Sequence, residues 1–205
     1  TQKLDAGRPV SRTRGTAPTM STLRLRLREE TRDAHASVDA LFSQHDLSTR
    51  TGLGTVLRAH SVALNRTLSA LSDQSSAYAQ TVHTMIAAID EDLDALDESA
   101  PASSHIDDPD AHVHPLGLIY VIAGSTLGAR ILLSDIQASG DPRVAAATRY
   151  FACPATNEMW KSVSSTLKGW SGQPHEENEI VTSAQTAFSW FEAAHRTVQK
   201  ASEDV

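Results

Sequence analysis

The chain has 205 residues, 40% of them apolar and 21% charged, with a net charge of −7 and one cysteine, Cys153. That composition suits a single ordinary globular domain. It argues against a general nucleic-acid binder, which needs a concentrated basic face, and it rules out an intrachain disulfide, a CxxC redox pair and a thiolate zinc site. No apolar run approaches the ~18 residues of a membrane-spanning helix, so no membrane partner is expected and the cytoplasm is the expected compartment. Residues 1–20 carry positive charge but lack the apolar stretch of a secretory signal. They read as a flexible leader, and residues 21–202 as the folded domain.

Helical periodicity runs through the domain. From Ser21, a good N-cap residue, Leu23, Leu27, Thr31, Ala34, Val38 and Leu41 recur at spacings of three and four, predicting one amphipathic helix. A second helix is predicted over 54–71. A third carries Val82, Met85, Ile86, Ile89, Leu93 and Leu96 on one face and Asp90, Glu91, Asp92, Asp94, Asp97 and Glu98 elsewhere, which gives it an acidic solvent side. The segment ESAPASSHIDDPDAHVH is loop-like. Pro115 then suits the first position of a helix running to Gly140. Residues 142–151 predict a short helix, Pro154 starts another that ends at Lys168, and the last spans Pro174 to Lys200 with Ala184, Phe188, Phe191, His195 and Val198 on one face. With no alternating β-branched run, the fold class is all-α, with about seven helices.

Three stretches could carry chemistry. Arg28, Arg32, His35 and Asp39 follow one another at spacings of 4, 3 and 4, one stripe beside the apolar face of a helix. A neutral imidazole is a common metal ligand, a carboxylate one turn away orients it, and arginines beside it can hold an anion. A solvated stripe of charges is the simpler alternative. HIDDPDAHVH, residues 105–114, offers three histidines and three aspartates, but nothing fixes their geometry, and a solvated acidic loop explains them. In IYVIAGSTLGARILL, residues 119–133, Gly124 and Gly128 each cost a helix about 1 kcal/mol against alanine. They serve either close packing against another helix or the approach of a large flat ligand.

Two of these stretches together resemble the heme oxygenase family, most closely its bacterial type associated with bacteriophytochromes. The family pattern L-(K/R)-x-x-T-x-x-x-H reads here Leu27-Arg28-Glu29-Glu30-Thr31-Arg32-Asp33-Ala34-His35. The distal pattern LYV-x-EGSTLGGR reads here Ile119-Tyr120-Val121-Ile122-Ala123-Gly124-Ser125-Thr126-Leu127-Gly128-Ala129-Arg130. The resemblance spans roughly residues 22–200 and implies a single-domain helical heme oxygenase fold with heme b sandwiched between a proximal and a distal helix. It implies that His35 is the axial ligand of heme iron, with Asp39 supporting it and Thr31 beside it. Arg28 and Arg32 would pair with the propionates. Tyr120, Gly124, Gly128, Ala129 and Phe188 would contact heme, with Gly124, Ser125 and Gly128 forming the catalytic distal wall.

The implied reaction is the opening of heme, both substrate and cofactor, to biliverdin with release of CO and ferrous iron. It consumes molecular oxygen and electrons from an external reductant such as a ferredoxin, a flavodoxin or a reductase, and a bacteriophytochrome could receive the product. The chain departs from the pattern at Ala123, where the group has Glu, and at Ala129, where it has a second glycine. Ser125 stands where well-known members of the family keep an Asp that organises distal water. A non-catalytic heme-binding protein of the same fold, and a helical interaction domain without heme, are the alternatives.

Overall fold

A computed structural model describes residues 22–71, 76–101, 113–125 and 128–203. Within them the chain is all-α: α1 (Thr22–Glu30), α2 (Arg32–Phe42), α3 (Arg50–Ala70), α4 (Ala77–Ala95), α5 (Pro115–Ser125), α6 (Ala129–Gln137), α7 (Pro142–Ala146), α8 (Ala155–Lys168) and α9 (Pro174–Glu203). The leader, the Ser21 cap, most of the acidic loop, and Thr126 with Leu127 lie outside the described residues.

The apolar stripe of α9 organises the molecule. Ala184, Phe188, Phe191, His195 and Val198 are all buried, as their spacing predicts. This helix packs most extensively on α3 and α5, and also on α2 and α1. Helix α5 lies between α8 and α9. Its buried positions include Leu116, Leu118, Ile119, Val121, Ile122 and Ala123, a run without a polar face, as expected of a helix enclosed by others. At Gly117 the α5 and α9 backbones touch. A Cβ there would stand 2.2 Å from the Ile180 carbonyl oxygen and 2.9 Å from the Ala184 nitrogen, so only glycine fits.

Helix ends follow local chemistry. The Thr49 hydroxyl accepts from Gly52 N–H at 3.1 Å and the Ser76 hydroxyl from Ala79 N–H at 3.2 Å, each satisfying a first-turn donor. The Asp141 side chain caps α7 in the same way, ahead of Pro142. Helix α4 ends in a Schellman turn. Asp97 takes φ 56°, Asp97 N–H donates to Asp94 O at 3.1 Å, and Glu98 N–H donates to Leu93 O at 2.9 Å.

Two expected helices are each divided, which is why nine are described where seven are predicted. The first bends at Thr31, whose φ and ψ are −105° and 1°. Its hydroxyl donates to the Leu27 carbonyl at 2.6 Å, a bond that draws the carbonyl out of line and bends helices. Arg28 is thereby on α1, while Arg32, His35 and Asp39 are on α2, so the expected single stripe is broken. The helix expected over 115–140 is likewise divided, α5 closing at Ser125 and α6 opening at Ala129. There the Ser125 hydroxyl donates to Ile122 O at 2.8 Å, again competing with the helical ladder.

Two further expectations are corrected. The helix predicted over 142–151 stops at Ala146 because the chain turns to present the Arg149 and Tyr150 N–H groups to Asp92, at 3.0 and 2.9 Å. Asp92, assigned from sequence to the solvent side of α4, is for the same reason fully buried. No described helix is long and apolar enough to cross a membrane.

Candidate functional site

A cleft of about 680 Å³ opens between the α2 end of the molecule and α6, a volume typical of sites for small organic ligands. Asp39, Phe42 and Ser43 from α2 and its end form one wall, and Leu132, Asp135 and Ala138 from the α6 side form the facing one. His45, Asp46, Leu47 and Ser48 of the α2–α3 loop, with Val56 and His60 of α3 and Phe151, complete the lining. Of the two exposed apolar side chains of α6, Leu132, 38% exposed, lines the cleft and Ile131 does not.

His35 lies one turn before Asp39 on α2. Its Nδ1 is 3.1 Å from Asp39 Oδ2, and both side chains are more than half exposed. With Nδ1–H donated to the carboxylate, Nε2 carries the free lone pair, the arrangement that prepares a histidine to bind a metal. The edge of the Phe188 ring, on α9, fixes the imidazole from the side at a centroid distance of 5.6 Å and 88°. Among the described residues no group of three or more His, Cys, Asp or Glu side chains could hold a metal ion.

A cationic cluster forms where α1 meets α8, beside α5. Arg24 stands over the Trp160 ring at 5.8 Å, and Tyr120 packs beside Trp160 at 6.2 Å. Burial pushes the Tyr120 hydroxyl up from its ordinary value, while the nearby Arg24 and Arg28 pull it back. This places both guanidinium groups within electrostatic reach of the phenol. Arg24 escaped the sequence reading, although it stands one helical turn before Arg28 on the same face. Arg32 does not join them: its side chain is 79% exposed and pairs with Asp33 at 3.4 Å.

The other expected residues divide as follows. Thr31 is buried with its hydroxyl donating to Leu27 O, at the bend between α1 and α2. Ser125, on the exposed end of α5, commits its hydroxyl to Ile122 O. Among the described residues, a Cβ on Gly124 would meet only Trp160 Cζ3, at 3.8 Å, and one on Gly128 only the Ser125 carbonyl, at 3.9 Å. Neither glycine has a positive φ. Ala129, the first residue of α6, is half-buried. No described contact joins His35 to Gly124 or Gly128; α2 and α6 meet across the cleft instead.

Two histidines that line the cleft, His45 and His60, and a third buried behind His45, His195, are not marked as site residues by the sequence. His60 Nδ1 lies 2.9 Å from the Tyr150 hydroxyl, and burial pushes the imidazole down to about 4. His45 Nε2 lies 2.7 Å from His195 Nε2. Burial, then His45, then Arg196 hold His195 below the ordinary histidine range. The partners are 90 and 150 residues apart in sequence, so no local spacing signals them. Compared with known proteins, no family model matches the chain and no curated protein matches it.

Proposed function

We propose that the chain is a biliverdin-forming heme oxygenase, with heme seated between α2 and the α5–α6 junction. The observation that carries this reading is the pair of glycines at that junction. Gly124 lies in the last turn of α5, where it costs helix stability, and Gly128 stands at the N-cap of α6, and neither is required by a positive φ or by packing among the described residues. Close approach of a flat ligand supplies the missing reason.

The residues suit heme in kind. His35 offers a lone pair oriented by Asp39, and Phe188 restrains the ring. Arg24, Arg28 and Tyr120 form a cationic, hydrogen-bonding edge suited to two propionates. Phe42, Leu132 and Phe151 provide apolar surface in the cleft. Heme, when bound, supplies the iron that holds molecular oxygen and the ring that is opened, while electrons come from an external ferredoxin, flavodoxin or reductase. His35, the arginines and Tyr120 would orient heme, and the bare backbone at Gly128 would let it approach closely. A bacteriophytochrome acceptor for biliverdin and a cytoplasmic setting belong to the same proposal.

One observation favours a second reading, a heme-binding protein without turnover. The Ser125 hydroxyl is held by its own helix, so it is not presented as a distal hydrogen-bond donor. One assay separates the two: hemin is titrated into the protein, and reductant and catalase are then added. The enzyme is expected to lose its Soret band as a broad red biliverdin band grows in. A Soret band that persists under reductant supports the carrier, and no Soret shift on hemin addition contradicts both.

A further inference from the structure

Several polar groups that line the cleft are committed within the protein, and others are not. His45 Nε2 stands 2.7 Å from His195 Nε2, and the Ser43 hydroxyl donates to Ala40 O at 3.2 Å. The Ser48 hydroxyl and N–H both donate to Asp46 Oδ1, at 2.6 and 2.9 Å. These two bonds hold the Asp46 carboxyl below its ordinary value, so it is ionised near neutral pH. Its Oδ2 has no partner among the described residues, and neither does the carboxylate of Asp135 on the facing α6 wall.

The α3 side of the cleft supplies a neutral donor. His60 Nδ1 lies 2.9 Å from the Tyr150 hydroxyl and is the acceptor described for its proton. Burial raises the Tyr150 phenol and lowers the imidazole to about 4. The tyrosine therefore donates this bond, and neutral His60 carries its own proton on Nε2. That nitrogen bonds no described residue and is not an enclosed atom, so its N–H opens into the cleft that His60 lines. Phe42, Val56, Leu132 and Phe151 supply the apolar surface around these groups.

Charge selects the occupant. Among the described residues no Lys or Arg lines the cleft, and Arg50, which follows its loop, is turned to Asp141, with Nε 2.5 Å from Oδ2. Asp39, Asp46 and Asp135 come from three different segments to one largely apolar space. An anionic group such as a propionate is repelled there, whereas a cation with an apolar body is attracted. We propose that the cleft binds a small organic cation, an aryl- or alkylammonium. Its charged end meets the exposed Asp46 and Asp135, its body lies against Phe42 and Phe151, and an oxygen on that body accepts from His60 Nε2–H. This site does not depend on heme.

The test uses the heme-free full chain at neutral pH and p-methoxyphenethylamine as the probe, followed by ¹H–¹⁵N spectra of the histidine rings and by the Phe ring signals. The amine is expected to move the signals of His60, Phe42 and Phe151 saturably and with one dissociation constant. The carboxylate of like shape, p-methoxyphenylpropanoate, is expected to leave them unmoved at the same concentrations. Asp46→Asn keeps an acceptor for Ser48, and Asp135→Asn changes an exposed side chain, so both variants are expected to fold. Each is expected to bind the amine about threefold more weakly, and the double variant about tenfold. A carboxylate that binds as well as the amine, shifts that do not saturate, or amine binding unchanged in the double variant overturns the proposal. Hemin binding is measured separately, so the failure of either reading leaves the other standing.

Discussion

Gly117→Ala is expected to lower the unfolding free energy by about 2–3 kcal/mol, the cost of forcing a methyl into a closed contact. Gly124→Ala and Gly128→Ala are expected to leave it unchanged or to raise it by up to about 1 kcal/mol. The three positions share two apolar segments but differ in what a Cβ would meet. At Gly117 it collides with the α9 backbone at Ile180 and Ala184, which cannot turn aside as a side chain can. At Gly124 and Gly128 it makes ordinary contacts while removing a flexible residue from the unfolded chain. Urea denaturation of the heme-free proteins reads the difference directly. Equal losses at all three positions would mean that the junction glycines serve packing, and the main support for a ligand there would disappear. In heme-loaded protein the order is expected to reverse: Gly128→Ala impairs heme seating or turnover although its fold is intact.

Acid is expected to weaken the fold through His60. The imidazole lies among Phe42, Tyr150 and Phe191, each in edge-on contact. Burial lowers it from an ordinary 6.5 to about 4. Burial also raises the Tyr150 hydroxyl, which therefore stays protonated and can donate to Nδ1. Because the folded value lies below the unfolded one, the unfolded chain binds the proton first as pH falls. The stability contributed by neutral His60 is fully present above about 6.5 and is lost as pH drops toward 4, by at most about 3 kcal/mol. His60→Gln keeps an acceptor for Tyr150 and cannot titrate. Comparing denaturation midpoints of wild type and variant from pH 7 to 4 isolates the contribution, since other acidic groups titrate in both. Parallel curves would show that His60 is charged, or readily hydrated, in the folded protein.

How far the sequence could be read depended on how local each determinant is. The α9 stripe was legible because burial at Ala184, Phe188, Phe191, His195 and Val198 follows one helical period. Pro115, Pro142 and Pro174 each open a helix, as their fixed φ and missing N–H dictate. The bend at Thr31 was hidden because a single hydroxyl bonding back to its own helix leaves the apolar period intact. Asp92 looked like one more surface carboxylate, since the two backbone N–H groups that justify its burial come 57 and 58 residues later.

The site divides in the same way. His35 with Asp39 is a one-turn pair, visible in the spacing and present as a hydrogen bond. Arg32 kept the spacing of its neighbours but lost their direction once Thr31 broke the helix, while Arg24 gained a place beside Trp160 and Tyr120. The histidine pair could not be foreseen, because only the packing of α9 beside the α2–α3 loop brings His45 to His195.

The central claim is that His35 binds the iron of heme seated beside this cleft. Hemin titration of wild type and His35→Ala, read by the position and intensity of the Soret band, tests it most directly. Wild type is expected to give a shifted band that saturates at equimolar hemin. His35→Ala, a substitution at an exposed position that leaves the fold intact, is expected to lose the normal histidine-ligated spectrum and to regain it with added imidazole. A wild-type spectrum in His35→Ala, or no band shift in the wild type, would contradict the claim.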